Sequence, residues 1–211
     1  MKLKLFYVAV VTCVVLMFGC ARQDYRRVEP DIHLVTKERL SVGVQDLRPY
    51  IIKHDKEENF VGIQRGAFGI PGSLITQSTH PLAEDMTDAL VKSFENMGAT
   101  VIPMKISPAM DMGSVLQIAR TQQSDKIVLL TLLDWETDTF QSTDLIYNIS
   151  MTVFDSKGHE VAKKQLQGTD NLGKDVLNPQ SIPIELAPIA FQHKLEELFR
   201  DDISTALSKN H

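Results

Sequence analysis

The chain has 211 residues, 43% of them hydrophobic and 23% charged, an ordinary globular composition long enough for one substantial core. Its 22 basic and 27 acidic residues give a net charge of −5, which argues against a nucleic-acid partner. Eleven glycines and nine prolines are too few for a collagen-like or disordered chain, and two cysteines exclude a disulfide framework.

Lys2 and Lys4 precede an apolar run, Leu5 to Phe18, which ends in Gly19 and Cys20. A basic start, a short apolar core and a small residue before a cut spell a secretory signal. The run is shorter than the about 20 residues that a membrane span needs. Met17-Phe18-Gly19-Cys20 resembles the bacterial lipobox, in which cleavage precedes a cysteine that is then acylated. Residues 1–19 therefore read as a lipoprotein signal peptide, with Cys20 as the lipidation site. Cys13 leaves with the signal, so no thiol remains for catalysis or for a cysteine zinc site. Ala21 stands where an inner-membrane retention signal would have Asp, so the resemblance implies the outer membrane.

Residues 20–38 are polar and read as a lipidated tether, ordered only where it meets the fold. Residues 39–211 read as a single α/β periplasmic domain. Leu40, Val42 and Val44 alternate with polar and small residues, predicting a strand over 39–45 that ends at Asp46-Leu47-Arg48-Pro49. Residues 48–80 read as a long loop punctuated by Gly66, Gly69 and Gly72, with short strands at 60–63 and 73–76. Phe68, Ile70, Leu74 and Ile75 look exposed there. Pro81 opens a helix with Leu82, Met86, Leu90, Phe94 and Met97 on one face, stopping at Gly98.

Thr100 to Met104 is a short strand, and Asp111 caps a second helix to about Thr121. Lys126 to Leu133 has the pattern of a central strand covered on both faces. Leu145 to Phe154 and His159 to Gln167 form a hairpin around Asp155-Ser156-Lys157-Gly158. Residues 170–183 read as a loop, and a last helix runs from about Pro188 to Ser208. The expected fold is an α/β (α+β) sandwich, a mixed sheet with helices packed mainly on one face.

Three stretches carry a family resemblance. They are Val42-Gly43-Val44-Gln45-Asp46-Leu47-Arg48-Pro49, then Val61-Gly62-Ile63-Gln64-Arg65-Gly66, then Pro81-Leu82-Ala83-Glu84. A strand ending in Asp-x-Arg, a "VG…R" hairpin and a Pro-Leu-Ala helix resemble the YajG-like family of bacterial lipoproteins. The resemblance covers the front half, and the rest by element order. It implies location and fold but no reaction.

The remaining motifs read as scaffold. Gly168-Thr169-Asp170-Asn171-Leu172-Gly173-Lys174-Asp175 approaches a P-loop, but Asp175 stands where the magnesium-binding hydroxyl belongs. Asp134, Glu136 and Asp138 mimic the start of a calcium loop, but Thr139 replaces its glycine and Leu145 its closing glutamate. They read instead as charges guarding a strand end. Glu84 and Asp88 read as a solvated helix face. The histidines lack metal spacing, and no G-x-S-x-G is present.

The expectation is thus a non-enzymatic binding or envelope-assembly module on the periplasmic face of the outer membrane. It needs no cofactor and no metal beyond the covalent N-acyl and S-diacylglycerol lipid on Cys20. Its partners are the membrane, through that anchor, and an envelope protein. Asp46, Arg48, Arg65, Phe68 and Ile70 are the candidate contacts. For Asp46 and Arg48 the competing reading is an internal ion pair that pins the loop. The alternative functions are an auxiliary lipoprotein of lipid or solute transport, or a periplasmic hydrolase. An apolar groove would favour transport, converging ionisable groups an enzyme, and an open strand edge assembly.

Overall fold

The structure, a computed structural model, describes residues 22–32, 36, 38–65, 69–174 and 181–208. Its strands are β1 (Arg22–Gln23), β2 (Arg39–Asp46), β3 (Phe60–Arg65), β4 (Pro71–Thr76), β5 (Thr100–Pro103), β6 (Lys126–Thr139), β7 (Thr143–Asp155) and β8 (Glu160–Gly173). Its helices are α1 (Pro49–Ile52), α2 (Leu82–Asn96), α3 (Met112–Thr121), α4 (Ser181–Leu198) and α5 (Asp202–Ser208).

All eight strands join one mixed sheet, as the expected fold class requires. β6 is its spine. One edge of β6 carries β7, which carries β8, both antiparallel. The other edge carries β2 along residues 126–132 and β3 along residues 137–139, both parallel. β5 extends the sheet beyond β2, and β4 then β1 extend it beyond β3.

β6 runs six residues past the expected end at Leu133. The register with β7 shifts between Leu132 and Asp134. The extra residue inverts the alternation, because side chains in a strand change face every residue. Leu132 and Trp135 consequently both enter the core, while Asp134, Glu136 and Asp138 are only half-buried. Asp134 and Glu136 lie inside the strand, and Asp138 lies at its end.

Two apolar layers sandwich the sheet. α2, α4 and α5 cover the larger one, built on Leu40, Val42, Val44, Leu130, Leu132, Ile149 and Met151 among others. α3 covers a smaller one with Val115 and Ala119 against Ile127, Leu129 and Phe154. β2 is buried on both faces because it lies beneath both layers. α2 starts and stops where its proline and glycine place it, with Gly98 at φ 89°.

Three expectations change. The stretch read as a tether joins the fold at Arg22: β1 pairs with β4, and Gln23, Tyr25 and Val28 are buried. Tyr25 enters because its ring packs edge-on against Trp135 and Phe191, with centroids 6.2 and 5.8 Å away. Residues 168–173, read as a polar loop, complete β8 opposite β7. The last helix begins at Ser181, passes through Pro188, and breaks before a second helix. Asp201 at φ 63° makes that break, after which Ile203 and Leu207 are buried.

Gly62 marks the tightest backbone approach. β3 bulges between Phe60 and Gly62, and an added Cβ at Gly62 would collide with the Thr137 side chain and carbonyl and lie 2.8 Å from the Thr137 nitrogen. Gly62→Ala should therefore force β3 off β6 and destabilise by about 1–3 kcal/mol. Urea unfolding measures this, and a change within about 0.5 kcal/mol would contradict the close packing.

Candidate functional site

Cys20 and Phe68 lie outside the described residues. Asp46 and Arg48 are 2% and 0% exposed, so neither offers a surface to a partner. They form a bidentate ion pair: Arg48 Nε donates to Asp46 Oδ1 at 2.8 Å and Nη2 to Oδ2 at 2.7 Å. Arg48 Nη1 donates to the carbonyls of Phe60 at 2.8 Å and Trp135 at 3.0 Å.

The position explains the pairing. β2 leaves β6 after Leu132, and β3 joins it only at Thr137. Arg48 fills the interval, supplying donors where the strand ladder lapses. The Asp46 carboxylate and Tyr50 favour its charged form against the cost of burial. This is the internal clip of the competing reading.

Arg65 and Ile70 sit at one end of the sheet. Gln64 pairs with Thr139, so the β3–β4 and β6–β7 turns are neighbours. Arg65 forms an ion pair with Asp138 across them. Ile70 is 70% exposed, and Phe140 on the adjacent turn is 52% exposed. These are the two most exposed large apolar side chains among the described residues. Phe140 was not among the sequence candidates. Its only signal was one aromatic inside Asp138-Thr139-Phe140-Gln141-Ser142, an otherwise polar turn.

Not all of residues 48–80 is loop or surface. α1, β3 and β4 occupy much of it, and Phe60, Val61 and Leu74 are core. Leu74, which looked exposed in sequence, is 2% exposed because it faces inward from β4.

The half of the outer sheet face beyond α3 carries polar side chains. Asp134, Glu136 and Asp138 of β6 face Asn148, Ile146 and Asp144 of β7. Partial burial holds the Asp134 and Glu136 carboxyls above the usual range, and Glu136 is raised further by its acidic neighbours. Among the described residues no group of three or more His, Cys, Asp or Glu side chains is placed to hold a metal ion. Glu84 and Asp88 pair with Lys105 and Arg26. They border a cleft of about 290 Å³ that also touches Val44, Thr87 and Met104.

β8 closes the sheet on one side. It pairs only with β7, and among the described residues its outer edge has no strand beside it. Gln165 Nε2 donates to Asn148 Oδ1 at 2.6 Å, and Asn171 Nδ2 to Asp144 Oδ1 at 2.5 Å. Those bonds tie β8 to β7, and α4 and α5 also lie against the strand.

A comparison with family models finds no match, and one with the curated proteins finds none. Among solved structures, a Xanthomonas campestris protein of the DUF330 family model is similar, with TM-score 0.52 and 14% identity. The alignment covers 85% of this chain and 93% of that one. PelC from Paraburkholderia phytofirmans, crystallised as a dodecamer, aligns at TM-score 0.43 and 11% identity over 86% and 94%. The lipoprotein GNA1162 of Neisseria meningitidis aligns at TM-score 0.29 and 12% identity over 74% and 97%. At these identities the first likeness shows a shared fold. No helix among the described residues is long and apolar enough to cross a membrane.

Proposed function

We propose that the protein is a YajG-like lipoprotein, anchored through acylated Cys20 in the outer membrane and facing the periplasm. There it acts as a non-enzymatic assembly module that recruits an envelope protein. The edge of β8 with which no strand among the described residues pairs carries this reading. The strand is 14 residues long, about 46 Å of backbone. Charges that would repel a partner strand, Lys163 and Lys164, fall in its first half. From Gln165 to Asn171 the only charge is Asp170, which Lys194 already neutralises at 2.7 Å. An uncharged strand edge can accept a further strand from another chain.

Four buried or half-buried ion pairs support the same reading. Asp46 with Arg48, Glu38 with Lys126, Asp85 with Arg26 and Asp170 with Lys194 are engaged in structural pairs.

Two measurements test it. Cys20→Ser should move the protein from the membrane to the soluble fraction or leave it uncleaved. If it still fractionates as a processed outer-membrane protein, the anchor reading fails. A photo-crosslinking amino acid at Gln167 or Thr169 should capture an envelope protein in cells. One at Glu185, on an exposed face of α4, should not. Equal yields from all three positions would remove β8 as the recruiting edge.

A further inference from the structure

The direction of β1 gives the domain an orientation. β4 leaves its turn at Pro71 and runs away from the hairpin end of the sheet. β1 is parallel to it, with Arg22 level with Ile75 and Gln23 with Thr76. β1 therefore also runs away from the hairpin end, and its N-terminal side points toward that end. Two peptide units separate Arg22 from Cys20, so the Cys20 Cα lies within about 8 Å of the Arg22 Cα. That covalent limit would keep a lipid on Cys20 near the domain.

That end presents Ile70 and Phe140 on neighbouring turns, 70% and 52% exposed. Polar groups beside them are tied to one another. Arg65 pairs with Asp138, and Asn171 donates to Asp144. Apolar tips beside an internally paired Arg65 and Asp138 suit the headgroup boundary of a bilayer, where apolar side chains enter and polar groups stay hydrated. On the reading that Cys20 is acylated, we infer that Ile70 and Phe140 form a membrane-contact surface. Ile70 and Phe140 enter the interface of the bilayer to which the lipid would tether the domain. The occupant of these apolar tips is the phospholipid surface, and the β8 edge is left to the protein partner.

The test uses the full-length protein purified from membranes and reconstituted into phosphatidylethanolamine–phosphatidylglycerol vesicles. Ile70→Trp and Phe140→Trp place a fluorophore at each tip. Ser156→Trp places one on the β7–β8 turn, at the opposite end of that hairpin. Lipids brominated on their acyl chains quench indoles that reach the interface. The expected result is quenching at positions 70 and 140 at least about threefold deeper than at 156 or in the parent, whose Trp135 is buried. Equal quenching at all three positions overturns the inference.

The mass of the Cys20-containing peptide separates the two readings. Acylated Cys20 with unquenched tips rejects membrane contact and keeps the anchor. Unmodified Cys20 with quenched tips rejects the anchor and keeps membrane contact. Unmodified Cys20 with unquenched tips rejects both.

Discussion

Arg48→Leu is expected to destabilise the protein by about 3–5 kcal/mol, because it strands a buried charge. Asp46 would keep a carboxylate at 2% exposure with its cation gone. The carbonyls of Phe60 and Trp135 would lose the Nη1 donor that now serves both. Against a total stability of about 5–15 kcal/mol, such a loss leaves little folded protein at physiological temperature. Urea unfolding at neutral pH measures it, and hydrogen exchange should show β3 loosening first. A joint Asp46→Leu, Arg48→Met variant should lose less than Arg48→Leu alone, since a buried pair replaced whole leaves no lone charge. A single variant within about 1 kcal/mol of the parent would mean the clip is not structural.

Tyr25→Ala is the second large effect, about 3–5 kcal/mol, the usual range for an aromatic removed from a core. The ring meets both Trp135 and Phe191, which contact each other at 5.5 Å. Its hydroxyl links a buried chain of donors. Trp135 Nε1 donates to it at 2.8 Å, and it donates to Gln23 Oε1 at 2.5 Å. Gln23 Nε2 in turn donates to Thr137 Oγ1 at 3.1 Å. Burial raises the Tyr25 pKa, so the hydroxyl stays neutral and keeps its proton. Tyr25→Phe should cost about 1–3 kcal/mol, the penalty of leaving the indole donor without an acceptor. A flexible tether would show almost no loss for either change, within about 0.5 kcal/mol. Thermal unfolding of the two variants therefore decides whether the domain begins at Arg22 or near Arg39.

These two sites also show which features were legible in the sequence. The Asp46-x-Arg48 pattern was visible, because period-two spacing puts both side chains on one side of a strand. Its burial was not, since nothing local says that β3 joins β6 five residues beyond the point where β2 leaves it. Tyr25 sits among arginines and acids, and its apolar partners are 110 and 166 positions away. No local window reaches that far. Phe140 was hidden for a related reason: its neighbour Ile70 belongs to another hairpin, and only the parallel register of β3 with β6 brings the turns together.

The sequence alone determined the elements with strong periodicity. The apolar stripe of α2, the Asp111 cap of α3, the alternation of β2 and β7 and the β7–β8 turn are local, because propensity, capping and turn chemistry act within a few residues. The expectation of a targeting segment likewise rests on linear order alone, since such a signal is read before a chain folds. The tertiary structure decided where weakly patterned segments ended and which ones were core. β6 continues past Leu133 because a bulge turns Trp135 inward and lets β3 pair with the strand's far half. β8 reaches Gly173 because β7 offers it a ladder, and β1 exists only because the edge of β4 accepts it. In each case the stabilising partner is distant in sequence, and a strand gains its hydrogen bonds only when that partner arrives.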